Sequence, residues 1–191
     1  MGRIGNKPII LPANVKVAVK ENEITITGPA GSVKKKFDPG LSIVVENNVL
    51  SVRKNTEAAE IVQGTIRSII NGMVQGTLNK FEKKLELQGV GYKAQLAGRK
   101  ITLLVGYSHP VEFEVPQDVE ITVDPKGLQI VLKSCDKEKI GFFASQIRMS
   151  KDPDPYKGKG VRYAGEHIRK KPGKSAVGAG TAGGAAGGAK K

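Results

Sequence analysis

The chain has 191 residues, with 31 Lys+Arg against 18 Asp+Glu, a net charge of +13 and a hydrophobic fraction of 39%. That length suits one domain or two small ones, and with 5% aromatics and no Trp the cores must be built from Ile, Val and Leu. The lone Cys135 excludes an intrachain disulfide framework or a Cys-based zinc site, and no apolar run approaches the roughly 20 residues of a transmembrane helix.

The opening, MGRIGNKPIILPANVKV, lacks the apolar core of a signal peptide, so the expectation is a cytoplasmic protein. Gly2 does not read as a myristoylation site, because residue 6 is Asn where the motif prefers Ser or Thr. From residue 15 to about 54 apolar residues alternate: Val15, Val17 and Val19; Ile24 and Ile26; Ile43 and Val45; Leu50 and Val52. Period-two patterning with β-branched residues predicts half-buried strands. Turn formers separate them at 12–14, 28–31, 38–40 and 47–48.

The period then lengthens. Ile61, Val62, Ile66, Ile69, Ile70, Met73, Val74 and Leu78 recur at three and four residues, which predicts a helix capped by Asn55 or Thr56. Gly64, Gly72 and Gly76 weaken it by about 1 kcal/mol each against Ala and predict close approach to a sheet.

The programme repeats. Leu85 and Leu87 open a strand; Val90, Tyr92, Ala94 and Leu96 alternate, then Ile101, Leu103 and Val105, then Val111, Phe113 and Val115. Val119, Ile121 and Val123 follow, then Leu128, Ile130 and Leu132. A second helix turns Ile140, Phe143, Ala144 and Ile147 inward behind an Asp136 cap. At an offset of 78, Val33 falls on Val111, Ile43 on Ile121, Leu50 on Leu128, Glu60 on Glu138 and Ile69 on Ile147. An internal duplication explains the shared order of turns and helix.

The expected class is α+β: two tandem, structurally similar domains, each an antiparallel β-sheet with one packed helix, plus a basic C-terminal extension. The boundaries are 1–81 and 82–150 for the domains, 151–172 for an irregular extension and 173–191 for a disordered Gly/Ala-rich tail.

The charge is uneven. Residues 1–81 hold 11 basic and 6 acidic side chains, 82–147 hold nine of each, and 148–191 hold 11 and 3. Such clustering is the footprint of a polyanion partner. An anionic membrane is disfavoured because the basic stretch has no apolar helical face. Within 157–171 stand Lys157, Lys159, Arg162, Arg169, Lys170 and Lys171, opposed only by Glu166. Gly158 and Gly160 let the backbone approach phosphate, Pro153 and Pro155 stiffen the approach, and Tyr156 and Tyr163 offer faces for bases. A second patch, Lys34 to Lys36, alternates faces on a strand and reads equally as a guarded edge.

Other motifs are thinner. Gly89-Val90-Gly91-Tyr92-Lys93-Ala94 matches the dinucleotide pattern, but period-two residues follow it where a helix is required, which predicts a hairpin or bulge. Gly173-Lys174-Ser175 lacks the phosphate-loop glycine, since position 168 is Ile. Glu112 and Glu114 share a strand face and could do acid–base work, though a wet sheet face is the simpler reading. His109 has no orienting acid in its motif. A helix start beside Cys135 could lower its pKa, against the simpler reading of a structural cysteine. No helix-turn-helix or zinc finger marks a DNA-binding module.

At residues 153–163, PDPYKGKGVRY resembles the signature of the universal large-subunit ribosomal protein L-six family, bacterial in type. GVGYKAQL at 89–96, GYSHPV at 106–111 and the opening MGRIGNKPIILP resemble it too, in the same order, so the likeness spans about residues 1–172. The resemblance implies two tandem α+β domains of related fold and no catalytic activity, cofactor, metal or small-molecule substrate. It implies a structural role in the ribosome of the cytoplasm: binding large-subunit (23S) rRNA near the sarcin–ricin loop and stalk base, beside neighbouring ribosomal proteins, in support of assembly and translation factors. It places Tyr156, Lys157, Gly158, Lys159, Gly160, Arg162 and Tyr163 at the RNA, to which the basic run adds Arg169, Lys170 and Lys171. Asp154 stands where Glu is frequent in that family, and the tail after Gly173 lies outside its pattern.

Overall fold

The computed structural model describes residues 4–46, 48–56 and 59–174. The 1–3 opening, Asn47, the two residues before the first helix and the tail from 175 lie outside them. Fourteen buried apolar residues between Leu85 and Val161 form one core, and a separate core lies between Ile9 and Val74.

The first unit runs β1 (Ile9–Ile10), β2 (Lys16–Lys20), β3 (Glu23–Gly28), β4 (Gly31–Lys36), β5 (Leu41–Glu46), β6 (Val49–Lys54) and α1 (Ala59–Leu78). It holds two antiparallel sheets, ordered β1-β6-β5 and β2-β3-β4, where one was expected. Pro12 and the Asp38-Pro39-Gly40 turn interrupt the chain at the sheet junctions, and proline cannot donate to a ladder. Both sheets turn their apolar rows, including Ile24, Ile26 and Leu50, toward Ile66, Ile70 and Met73 of α1. Ile61 departs from the helix's expected inward face: it is 85% exposed.

The second unit repeats the order: β7 (Phe81–Gln88), β8 (Lys93–Ala97), β9 (Lys100–Leu104), β10 (Val111–Glu114), β11 (Glu120–Val123), β12 (Gln129–Ser134) and α2 (Lys137–Met149). Its sheets are β8-β9-β10 and β11-β12-β7-β13, the last strand being β13 (Gly160–Tyr163). Asp136 caps α2, accepting from the Glu138 N–H at 2.9 Å. Val90, expected in a strand, sits in the turn between β7 and β8 and is 89% exposed; no helix opens there, which removes the dinucleotide geometry. Leu128, also expected inward, is exposed.

β13 corrects the expectation of a wholly irregular extension. Val161 is completely buried in the second core, with Gly160 opposite Gln88 and Tyr163 opposite Leu85. The segment therefore supplies an edge strand, not just a charged loop. At the offset of 78, the matching edge of the first unit carries Pro8 where β7 has Glu86. Pro8 has no N–H to offer, and Arg67 donates to the Lys7 and Pro8 carbonyls at 3.2 and 3.4 Å. Both features blunt an edge against further pairing.

The units meet tightly. Only Gly76, of the three helix glycines, serves close approach, and its neighbour is the other unit. A Cβ there would lie 2.0 Å from the Cys135 carbonyl oxygen. Cys135 Sγ donates to the Ala30 carbonyl at 3.1 Å. Lys35 pairs with Glu138, and Lys80 with Glu120 at 2.6 Å.

Candidate nucleic-acid interface

The basic segment begins where α2 stops. The Ser150 hydroxyl donates to the Ile147 carbonyl at 2.6 Å, turning the chain off the helix. Residues 151–161 then form a closed loop: the Val161 N–H donates to the Lys151 carbonyl at 2.9 Å and the Asp154 N–H to the Lys159 carbonyl at 2.8 Å. Asp154 organises it, its carboxylate accepting from the Lys157 N–H at 2.9 Å and its carbonyl from the Gly158 N–H at 2.8 Å. A short acid is needed for this local bond, and Asp154 supplies it.

The two glycines have separate tasks. Gly158 adopts φ +72°, the left-handed conformation that lets the loop reverse. Gly160, at φ +151°, lies against the chain's own backbone, where a Cβ would stand 2.6 Å from Pro153 Cα. Its missing side chain makes room for Pro153.

Arg162 and Tyr163 are held by the sheet. Arg162 Nη2 and Nε donate to Glu86 at 2.9 and 3.2 Å. Tyr163 packs on the second core, and the Lys83 ammonium lies 5.5 Å from its ring centroid. Glu166, the one acid within the run, is taken out of play. It accepts from Arg148 Nη2 at 2.7 Å, Arg148 Nε at 3.2 Å and the Tyr163 N–H at 2.9 Å. Arg148 foremost, then the Tyr163 amide, holds its carboxyl below the ordinary value of 4.5. The clamp is thus intact above pH 4.5 and weakens as pH falls through the lower folded value. Acid titration should displace the Tyr163 amide resonance below that pH, and Glu166→Gln should show the displaced resonance at neutrality. A Tyr163 resonance that Glu166→Gln left in place at neutral pH would contradict the clamp.

Beyond Glu166 the chain returns across the loop. The Lys171 N–H donates to the Pro155 carbonyl at 2.8 Å, and Lys170 Cε would lie 3.4 Å from a Cβ on Gly158. Two passes of chain thereby bring Lys157 and Lys159 alongside Lys170 and Lys171, with Arg169 adjoining. All five are exposed, and none has a carboxylate partner among the described residues. Tyr156 is 56% exposed on the same loop.

The remaining candidates do not assemble. Glu112 and Glu114 are exposed on β10, opposite Thr102 and Lys100. His109 lies in an exposed loop. Burial pushes the Cys135 thiol up, against the lowered value a helix start suggested, because its sulfur is packed at the unit junction. Among the described residues no group of three or more His, Cys, Asp or Glu could hold a metal, and no helix is long and apolar enough to cross a membrane. On β4, Lys34 and Lys36 are exposed while Lys35 faces Glu138.

Fold and surface together define a duplicated α+β protein whose distinguishing feature is a cationic face of basic side chains with no carboxylate partner among the described residues. A family model described as Ribosomal protein L6 matches residues 11–80 and 88–164. Large ribosomal subunit protein uL6 of Listeria welshimeri is 48% identical over 177 residues, 92% of this chain and 99% of that protein. Proteins of the same name from Halalkalibacterium halodurans and Exiguobacterium sibiricum are each 46% identical over the same shares. The chain belongs to the ribosomal protein L6 family, a family of structural, non-enzymatic ribosomal proteins.

Proposed function

We propose that this chain is a cytoplasmic, structural constituent of the large ribosomal subunit. It binds 23S rRNA near the sarcin–ricin loop and the stalk base, supporting subunit assembly and translation-factor function beside neighbouring ribosomal proteins. In this reading residues 1–81 and 82–150 are two related domains and 151–172 is the RNA-binding extension.

The observation that carries the reading is the convergence of Lys157, Lys159, Arg169, Lys170 and Lys171, none of them ion-paired among the described residues. Five unpaired ammonium and guanidinium groups repel one another and are best neutralised by a polyphosphate. Tyr156 stacks on an exposed base or ribose. Gly158, Gly160, Arg162 and Tyr163 complete the RNA-binding segment, the two glycines through the shape they give its loop. Specificity comes from RNA shape and 2′-hydroxyl contacts more than from base reading. Lys157→Ala with Lys159→Ala should leave the fold intact and deplete the chain from large subunits on a sucrose gradient. Normal incorporation would remove these lysines from the interface.

A further inference from the structure

One exposed cluster remains unused by the function above. Tyr107 and His109 lie in the 105–110 loop between β9 and β10, and their rings are nearly parallel, 16° apart in plane with centroids at 6.1 Å. Tyr107 is 47% exposed and His109 is exposed.

The loop is fixed in place. The Tyr107 hydroxyl donates to the Ser150 carbonyl at 3.1 Å, fastening it to the end of α2. Gly106 rests over Tyr92, whose ring would lie 3.3 Å from a Cβ there. The Lys151 ammonium stands 4.4 Å from the Tyr107 centroid and has no carboxylate partner among the described residues. Lys151 is also the residue whose carbonyl closes the basic loop at Val161, so the rings adjoin the cationic face.

We infer that Tyr107, His109 and Lys151 form a stacking platform for one unpaired nucleobase, with Lys151 taking its phosphate. The inference rests on the rRNA-binding reading. Two nearly parallel rings with a cation over the Tyr107 face match a base and its backbone charge. A paired base inside an A-form helix cannot reach it. Stacking and phosphate neutralisation are separable, because only the second releases counterions and depends on salt.

The test uses the full chain with two probes, a large-subunit rRNA transcript and a fully paired RNA duplex. His109→Ala should weaken transcript binding about tenfold, within the range for loss of one base–ring stack. It should leave the salt slope and duplex binding unchanged, and His109→Phe should restore affinity. Lys151→Ala should instead flatten the slope by about one. Unchanged transcript affinity in His109→Ala, or an equal loss on both probes, would overturn the inference while the rRNA reading stands. A wild-type chain that binds neither probe would sink both.

Discussion

Gly76→Ala is expected to destabilise the folded chain although alanine is the better helix former. The propensity gain is about 1 kcal/mol. Against it, the new methyl would meet the Cys135 carbonyl oxygen at 2.0 Å and the Phe81 ring at 2.7 Å. Backbone cannot swing aside as a flexible side chain can, and overpacking of this kind costs about 1–3 kcal/mol. Relief requires the units to part, which breaks the Cys135–Ala30 bond and loosens the Lys35–Glu138 pair. The net expectation is a loss of about 1–2 kcal/mol, read as a lower urea midpoint. Gly72→Ala is the control: nothing lies within 4 Å of its Cβ position, so it should gain about 0.5–1 kcal/mol. If both variants gained, the units would not meet as described.

Gly160→Ala should do comparable damage in a different place. An L residue at φ +151° is strained by about 1–3 kcal/mol, and its methyl would press on Pro153 Cα at 2.6 Å and the Asp152 carbonyl oxygen at 2.8 Å. The strain falls where β13 leaves the loop. Expected together are a lower unfolding midpoint and weaker rRNA binding, with no charge removed. Affinity lost without any change in stability would show that Gly160 touches RNA directly. Retention of both would contradict the packing described.

Much of this was legible in the sequence, and the failures have physical causes. The duplication and both helices were visible because period-two and period-three-to-four patterns report burial directly. Asp136 was readable as a cap because capping is local. Ile61, Val90 and Leu128 misled because hydrophobicity records only an average preference for burial; Val90 follows the chain into a turn. β13 escaped because GVRY is short and flanked by turn formers, and its partner strand lies more than seventy residues earlier. The same distance hid the Arg162–Glu86 pair, so Arg162 looked free. Glu166 read as an opposing charge within the basic run. Its pairing with Arg148 follows from the loop's return path, which composition does not encode.

That return path gives the surface its character. A cationic run of the same composition could be an open, solvated strand. Here Asp154, Gly158 and the Lys171–Pro155 bond fold it into two adjacent passes, and Glu166 is already paired with Arg148. Preorganisation of this kind lowers the entropy lost on docking.

The central claim is that Lys157 and Lys159 neutralise backbone phosphates of large-subunit rRNA. The direct measurement is the slope of log affinity against log salt for the full chain and for the Lys157→Ala, Lys159→Ala variant. A steep wild-type slope that flattens by about two in the variant is expected, close to one counterion per lost phosphate contact. Identical slopes for the two proteins would contradict the claim.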